Sequence, residues 1–65
     1  MSRPTVEFED SECIQETDAA LLVSIDGEEH WIPKSQITDD SEVWKQGDVG
    51  TLVITEWIAQ EKGLI

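Results

Sequence analysis

The chain has 65 residues, of which 15 are acidic and 4 are basic, so its formal net charge is −11. One cysteine excludes an internal disulfide, no Cys or His pair has zinc-binding spacing, and no apolar run is long enough to span a membrane. We expect one small domain over residues 1–65 in the reducing cytoplasm, since the first residues lack the apolar segment of a signal peptide.

The first predicted elements are two short strands. Residues 1–4 are expected to form a disordered tail. Apolar and polar residues alternate over Thr5–Asp10, which predicts a strand, and Cys13–Thr17 predicts a weaker one. Asp10-Ser11-Glu12 between them is either a turn or a bulge.

A β-hairpin is the clearest feature of the sequence. Leu21, Val23 and Ile25 are spaced by two and share one face of a strand. Asp26-Gly27 suits a two-residue type I′ turn, because both residues tolerate positive φ. Glu28–Ile32 returns as the second strand.

The segment after the hairpin is expected to turn sharply and then to form a long loop. Pro33 has no N–H and ends the strand, and one turn of 3₁₀ helix follows before Ile37 re-enters the core. Thr38–Gly50 is polar and acidic, which predicts a loop. Within it, Asp39 or Asp40 is expected to cap a short turn that includes Trp44.

The chain ends in a predicted strand and a short helix. The strand is Thr51–Thr55, Thr55 is a suitable helix N-cap, and Gly63 is suited to end the helix. Trp31 and Trp57 are expected in the core, whereas Trp44 either plugs one end of the fold or is an exposed anchor. The residues expected to cover one open end are Trp57 or Ile58, together with Leu64 or Ile65.

These elements predict a mainly β fold: a small antiparallel β-barrel of four to five strands, similar to SH3 domains, with a short C-terminal helix. Two strings, HWIPKSQI and GTLVITEWIAQEKGL, resemble small uncharacterised phage and bacterial proteins and short modules beside phage helicases. That resemblance implies a phage or mobile-element origin but no particular activity. Trp31-Ile32-Pro33 followed by Ile37 resembles the end of an SH3 domain. No ALYDY-like strand accompanies it, so SH3 peptide binding is not implied.

The sequence offers little material for catalysis. His30 is the only histidine and is expected at the surface, and Cys13 has no basic neighbour in sequence to lower its pKa. The acidic run Asp39–Glu42 lacks the spacing of a calcium loop, and no glycine-rich phosphate loop is present. We therefore expect no enzymatic activity, no metal and no cofactor.

The charge is the most informative functional feature. It either keeps the protein soluble, reflects a salt-rich habitat, or complements a basic partner. We expect a non-enzymatic acidic interaction protein, an accessory factor that binds a basic protein surface, in one version as a nucleic-acid mimic. The alternatives are a module that binds single-stranded nucleic acid through aromatic stacking, which the charge disfavours, and a structural or self-associating module. The oligomeric state stays open. The residues predicted to bind the partner are Glu28, Glu29, Asp39, Asp40, Glu42 and Trp44.

Overall fold

The computed structural model describes residues 4–65 and contains one four-stranded antiparallel sheet in the order β3-β2-β1-β4. The elements are β1 (Thr5–Glu16), β2 (Ala20–Ile25), β3 (Glu28–Pro33), a 3₁₀ helix (Lys34–Gln36), β4 (Val49–Thr55) and the helix α1 (Glu56–Glu61). The predicted mainly β class with a short C-terminal helix is confirmed.

The β2–β3 hairpin forms as the sequence predicts. Asp26 and Gly27 have φ angles of 51° and 82°, as both central residues of a type I′ turn require. The turn places Ile25 opposite Glu28, and the register continues to Leu21 opposite Ile32. This register puts Ile32 on the buried face of the hairpin, and β3 then ends at Pro33.

Strand β1 is one long strand where the sequence predicted two. Its C-terminal half pairs with β2 and its N-terminal half pairs with β4. The register with β4 shifts between Phe8 and Ser11, and the register with β2 shifts between Cys13 and Gln15. Asp10, at the first shift, has a φ of 57°, a conformation that Asp adopts more readily than most residues. The predicted choice between turn and bulge is therefore decided in favour of a bulge.

The core is formed by residues of β1, of the β2–β3 hairpin, of the segment after the 3₁₀ helix, of β4 and of α1. Cys13 and the hairpin residues lie on one side, while β4 and α1 supply the other. Eleven buried residues form one cluster. They are Cys13, Leu21, Val23, Ile25, Ile32, Ile37, Val43, Leu52, Ile54, Ile58 and Ala59. Val6, Phe8 and Leu64 pack against this cluster while keeping part of their surface exposed.

The sheet does not close into the predicted barrel. The outer strands β3 and β4 do not pair with each other within residues 4–65. Instead, the chain leaves the 3₁₀ helix and runs along the outer edge of β4, where Ile37 forms a bridge with Ile54. Ile37 is buried there, as the sequence predicts.

Helix α1 begins and ends at the predicted residues. The Thr55 hydroxyl accepts a hydrogen bond from the N–H of Ile58 at 3.3 Å. Gly63 has a φ of 71°, and the N–H of Leu64 donates to the carbonyl of Ala59 at 2.8 Å. This pattern is a Schellman motif, which satisfies the last carbonyls of the helix.

None of the three tryptophans lies in the core, so the prediction of core positions for Trp31 and Trp57 is wrong. Trp31 is 42% exposed and Trp57 is 59% exposed. In each case the next residue, Ile32 or Ile58, is buried instead. Adjacent residues point in different directions in a strand or a helix, so only one of each pair can face the core.

The N-terminal tail lies mostly outside the described residues, which begin at Pro4. The Pro4 carbonyl accepts a hydrogen bond from the N–H of Glu56 at 3.0 Å, so this residue of the predicted tail is tied to the start of α1. In the described part of the chain no helix has the length and apolar character needed to cross a bilayer.

Removing the N-cap hydroxyl should weaken the whole domain. We expect Thr55→Ala to lower the free energy of unfolding by about 1 kcal/mol, because one helix N–H loses its acceptor. The Thr55 hydroxyl also donates to Gln36 Oε1 at 2.7 Å, which ties α1 to the 3₁₀ helix. Thr55→Ser keeps the hydroxyl and is the matched control. Urea denaturation checks this, and an unchanged midpoint in Thr55→Ala would contradict the capping role.

Candidate protein-binding surface

All six residues predicted to bind a partner lie at the surface, in two separate stretches of the chain. Glu28 and Glu29 begin β3, on one outer side of the sheet. The other four lie in the segment that follows the 3₁₀ helix and passes the outer side of β4. The six residues, each exposed, are Glu28, Glu29, Asp39, Asp40, Glu42 and Trp44. The predicted residues thus belong to opposite edges of the sheet.

The backbone of β3 has an open outer edge. In a hairpin closed by a two-residue turn, the flanking residues Ile25 and Glu28 form a hydrogen-bonded pair, and such pairs alternate along the ladder. The N–H and C=O groups of Glu29 and Trp31 therefore point away from β2. Within residues 4–65, no strand pairs with this outer side of β3. The edge ends at Pro33, which has no N–H.

The side chains beside this open edge combine an indole with carboxylates. Trp31 lies opposite Leu22 on the outer face of the sheet. Glu29 lies opposite Ser24, which in turn lies opposite Glu12 on β1. We call the outward backbone groups of Glu29 and Trp31, with the side chains of Glu28, Glu29 and Trp31, the hairpin edge. Trp31 was missed as a surface residue, although the turn and the alternation already place it opposite Leu22.

In the part of the chain that the structure describes, no cation forms an ion pair with the carboxylates of the hairpin edge. Lys34 Nζ lies 2.8 Å from Glu16 Oε2, and this is the single salt bridge in the described part of the chain. The hydrogen bond from Lys34 lowers the pKa of Glu16. Glu28 and Glu29 form no ion pair with any cation of residues 4–65. None of the 15 acidic side chains is buried, so the surplus of negative charge faces solvent.

The second stretch serves the fold itself. The N–H of Thr38 donates to Val53 O at 3.0 Å, and the N–H of Glu42 donates to Thr51 O at 2.9 Å. In return, the N–H of Thr51 donates to Glu42 Oε1 at 2.8 Å. Glu42 thus completes part of the outer edge of β4. This role has no counterpart in the sequence pattern, because the pairing joins residues far apart in the chain.

Trp44 is held in its loop by local hydrogen bonds. Its indole N–H donates to Ser41 O at 2.8 Å, and its backbone N–H donates to Asp48 Oδ2 at 3.0 Å. The prediction that Asp39 or Asp40 caps this turn is wrong, since the carboxylate that accepts the hydrogen bond belongs to Asp48. Trp44 is 37% exposed, and its neighbour Val43 fills the core.

Two open depressions flank the start of α1. One has a volume of about 480 Å³ and contains the exposed Trp57. Its lining residues are Pro4, Gln36, Thr55, Glu56, Trp57 and Gln60. The second, of about 470 Å³, includes Asp39 and Asp40 on its wall. Pro4, the first described residue, lines the depression that contains Trp57, and the residues before it lie outside the described part.

Cys13 and His30 do not form a reactive pair. They lie in one row across the sheet, with Val23 between them, so two strand spacings or roughly 10 Å separate them. The Cys13 thiol is buried and donates to Gln15 O at 3.3 Å, and its burial raises its pKa. Over residues 4–65, no three His, Cys, Asp or Glu side chains are grouped in a way that fits a metal ion.

No family model, curated protein or solved structure matches the chain. The resemblance to phage and bacterial proteins therefore stays a prediction.

Substitutions at Glu42 should separate its structural role from any role in binding. We expect Glu42→Ala to lower the free energy of unfolding by about 1 kcal/mol, because the Thr51 N–H loses its acceptor. Glu42→Gln keeps an acceptor oxygen and should preserve stability, and Glu28→Ala should change it by less than about 0.5 kcal/mol. Urea denaturation of the three variants checks this. Equal stability of Glu42→Ala and Glu28→Ala would contradict the pairing described for β4.

The Cys13 thiol should be inert in the folded protein. We expect iodoacetamide to alkylate the native chain on the order of a hundredfold more slowly than the chain in urea, because reaction requires opening of the core. Mass spectrometry of timed samples gives both rates. Similar rates in the two conditions would mean that the thiol is accessible in the folded state.

Proposed function

We propose that this protein is a non-enzymatic acidic interaction protein that binds a basic protein surface in the cytoplasm, as a phage or mobile-element accessory factor. One observation carries the proposal. All 15 carboxylates lie at the surface, and only the Glu16 carboxylate has an ion-pair partner within residues 4–65. A surface of one dominant sign attracts a partner of opposite sign and repels competitors of its own sign.

The arrangement of the acidic residues supports two contact regions rather than one. The hairpin edge offers carboxylates beside an exposed indole, and aromatic residues commonly supply the central anchor of an interface. Asp39 and Asp40 offer charge, but the indole nearest them in sequence, Trp44, is held by hydrogen bonds within its own loop. It is therefore less available to a partner than Trp31. The hairpin edge is therefore the better candidate for the centre of the interface.

The alternative is a module that binds single-stranded nucleic acid or assists a helicase. The exposure of Trp31 and Trp57 favours it, because bases stack on accessible aromatic rings. The charge opposes it, since phosphate binding depends on Lys and Arg, and the chain has a net charge of −11. We rank it second for that reason.

Affinity capture with a charge-neutralised control tests the proposal. The variant carries Glu28→Gln, Glu29→Gln, Asp39→Asn and Asp40→Asn, which remove four charges with little change of shape. We expect the tagged wild-type chain to retain a basic protein from cell extract at physiological salt, and the variant to lose it. The purified pair should then associate more slowly as salt rises, with a weaker salt dependence for the variant.

Three outcomes would count against the proposal. The first is equal retention of the same proteins by wild type and variant, and the second is a failure to retain any basic protein. The third is tight binding of a fluorescently labelled oligothymidylate at low salt. That result would rank the nucleic-acid alternative first.

A further inference from the structure

The two outer edges of the sheet are treated differently by the rest of the chain. The edge of β4 is covered, because Thr38, Glu42 and Ile37 pair with it. The edge of β3 has no such cover within residues 4–65. An uncovered strand edge is a template for a further strand.

The structure points to a specific ligand for this edge. We propose that the hairpin edge binds an extended basic segment of a partner protein, which adds to the sheet as a strand beside β3. This inference rests on the proposed function and names the form in which the basic partner is recognised. The backbone groups of Glu29 and Trp31 supply the hydrogen bonds, and the side chains along β3 supply the selection.

The side chains of β3 dictate the pattern of the added segment. Residues of the segment that lie next to Glu29 and Trp31 share the outer face of the sheet with them. A Lys or Arg next to Glu29 forms a cross-strand ion pair, and an apolar residue next to Trp31 packs on the indole. Glu12 extends the negative field on the same face, and Glu28 adds a charge beside the turn on the other face. The segment therefore has basic and apolar residues at alternating outer-face positions.

Charge also decides against a second copy as the occupant. Two chains that each carry a net charge of −11 repel one another, and pairing of β3 with β3 would place the glutamates of both hairpin edges on one short ladder. The open edge is thus guarded against self-pairing by the same glutamates that favour a basic strand.

Hydrogen exchange of single amides is the direct test. The probe is a synthetic peptide with the repeat Lys-Thr-Val-Thr, which places Lys and Val at successive outer-face positions, and it is added to the 15N-labelled full chain at low salt. We expect bound peptide to slow hydrogen exchange at the Glu29 and Trp31 amides by about tenfold or more, because these amides then donate to the added strand. A peptide of the same sequence with N-methyl groups at alternate residues keeps the charge but cannot complete the ladder, and it should bind at least about tenfold more weakly.

Matched variants separate backbone, aromatic and charge contributions. Trp31→Ala should weaken peptide binding about tenfold, whereas Trp57→Ala, which removes an exposed indole elsewhere, should leave it unchanged. Glu28→Gln with Glu29→Gln should weaken binding more than Asp39→Asn with Asp40→Asn, although both pairs change the net charge by the same amount. Circular dichroism confirms that each variant is folded.

The outcomes distinguish this inference from the broader function. Salt-dependent binding of the Lys-Thr-Val-Thr peptide with unchanged exchange at Glu29 and Trp31, or equal binding of the N-methylated peptide, overturns strand addition and leaves the acidic interaction function standing. Slow exchange of the two amides without peptide, together with sedimentation as a dimer, makes a second copy the occupant. No binding of any basic peptide or protein at low salt defeats both proposals.

Discussion

Strand β1 is paired on both sides, and the rest of the fold depends on how that one strand bends. Its C-terminal half carries the β2–β3 hairpin and its N-terminal half carries β4. A bulge interrupts each pairing, and bulges bend a strand and increase its twist. The two halves of the sheet can therefore face a common core, which a flat sheet of four strands does not enclose. Asp10, with its positive φ, lies at the bulge toward β4.

The resulting strand order leaves β3 and β4 at the two edges of the sheet, and only the edge of β4 is covered. After β3, a single 3₁₀ turn takes the chain to the outer edge of β4. The residues that follow this turn therefore cover β4 and not β3. Nothing in the described part of the chain remains to cover β3. A short, acidic strand that ends in proline is a common way for proteins to keep an open edge from aggregating. The same features permit a strand of opposite charge to bind, which joins solubility and recognition in one element.

A core of this size provides only a small free energy of unfolding, so individual hydrogen bonds matter to the stability of the fold. Every buried side-chain polar atom within residues 4–65 has a hydrogen-bond partner, and Ser11 and Thr55 are satisfied by nearby groups. Cys13 acts as a small apolar residue of the core. The carboxylates of Glu42 and Asp48 stabilise the fold by accepting backbone hydrogen bonds, and that of Glu16 forms an ion pair. The acidic surface is thus partly structural, which composition alone does not reveal.

Local sequence was enough to predict the elements whose conformation depends on neighbouring residues. Asp26-Gly27 dictated the hairpin, Pro33 its end, and Thr55 and Gly63 the limits of α1, because turns and caps depend on the φ preferences and hydrogen bonds of a few adjacent residues. Three features follow only from the packing of the whole chain: which edge of the sheet is covered, the continuity of β1 across its bulges, and the contacts of Glu42. The exposure of Trp57 is a fourth such feature, because the sequence allows either Trp57 or Ile58 to be the residue of α1 that faces the core. These outcomes depend on pairing between distant segments, and no local preference specifies that pairing.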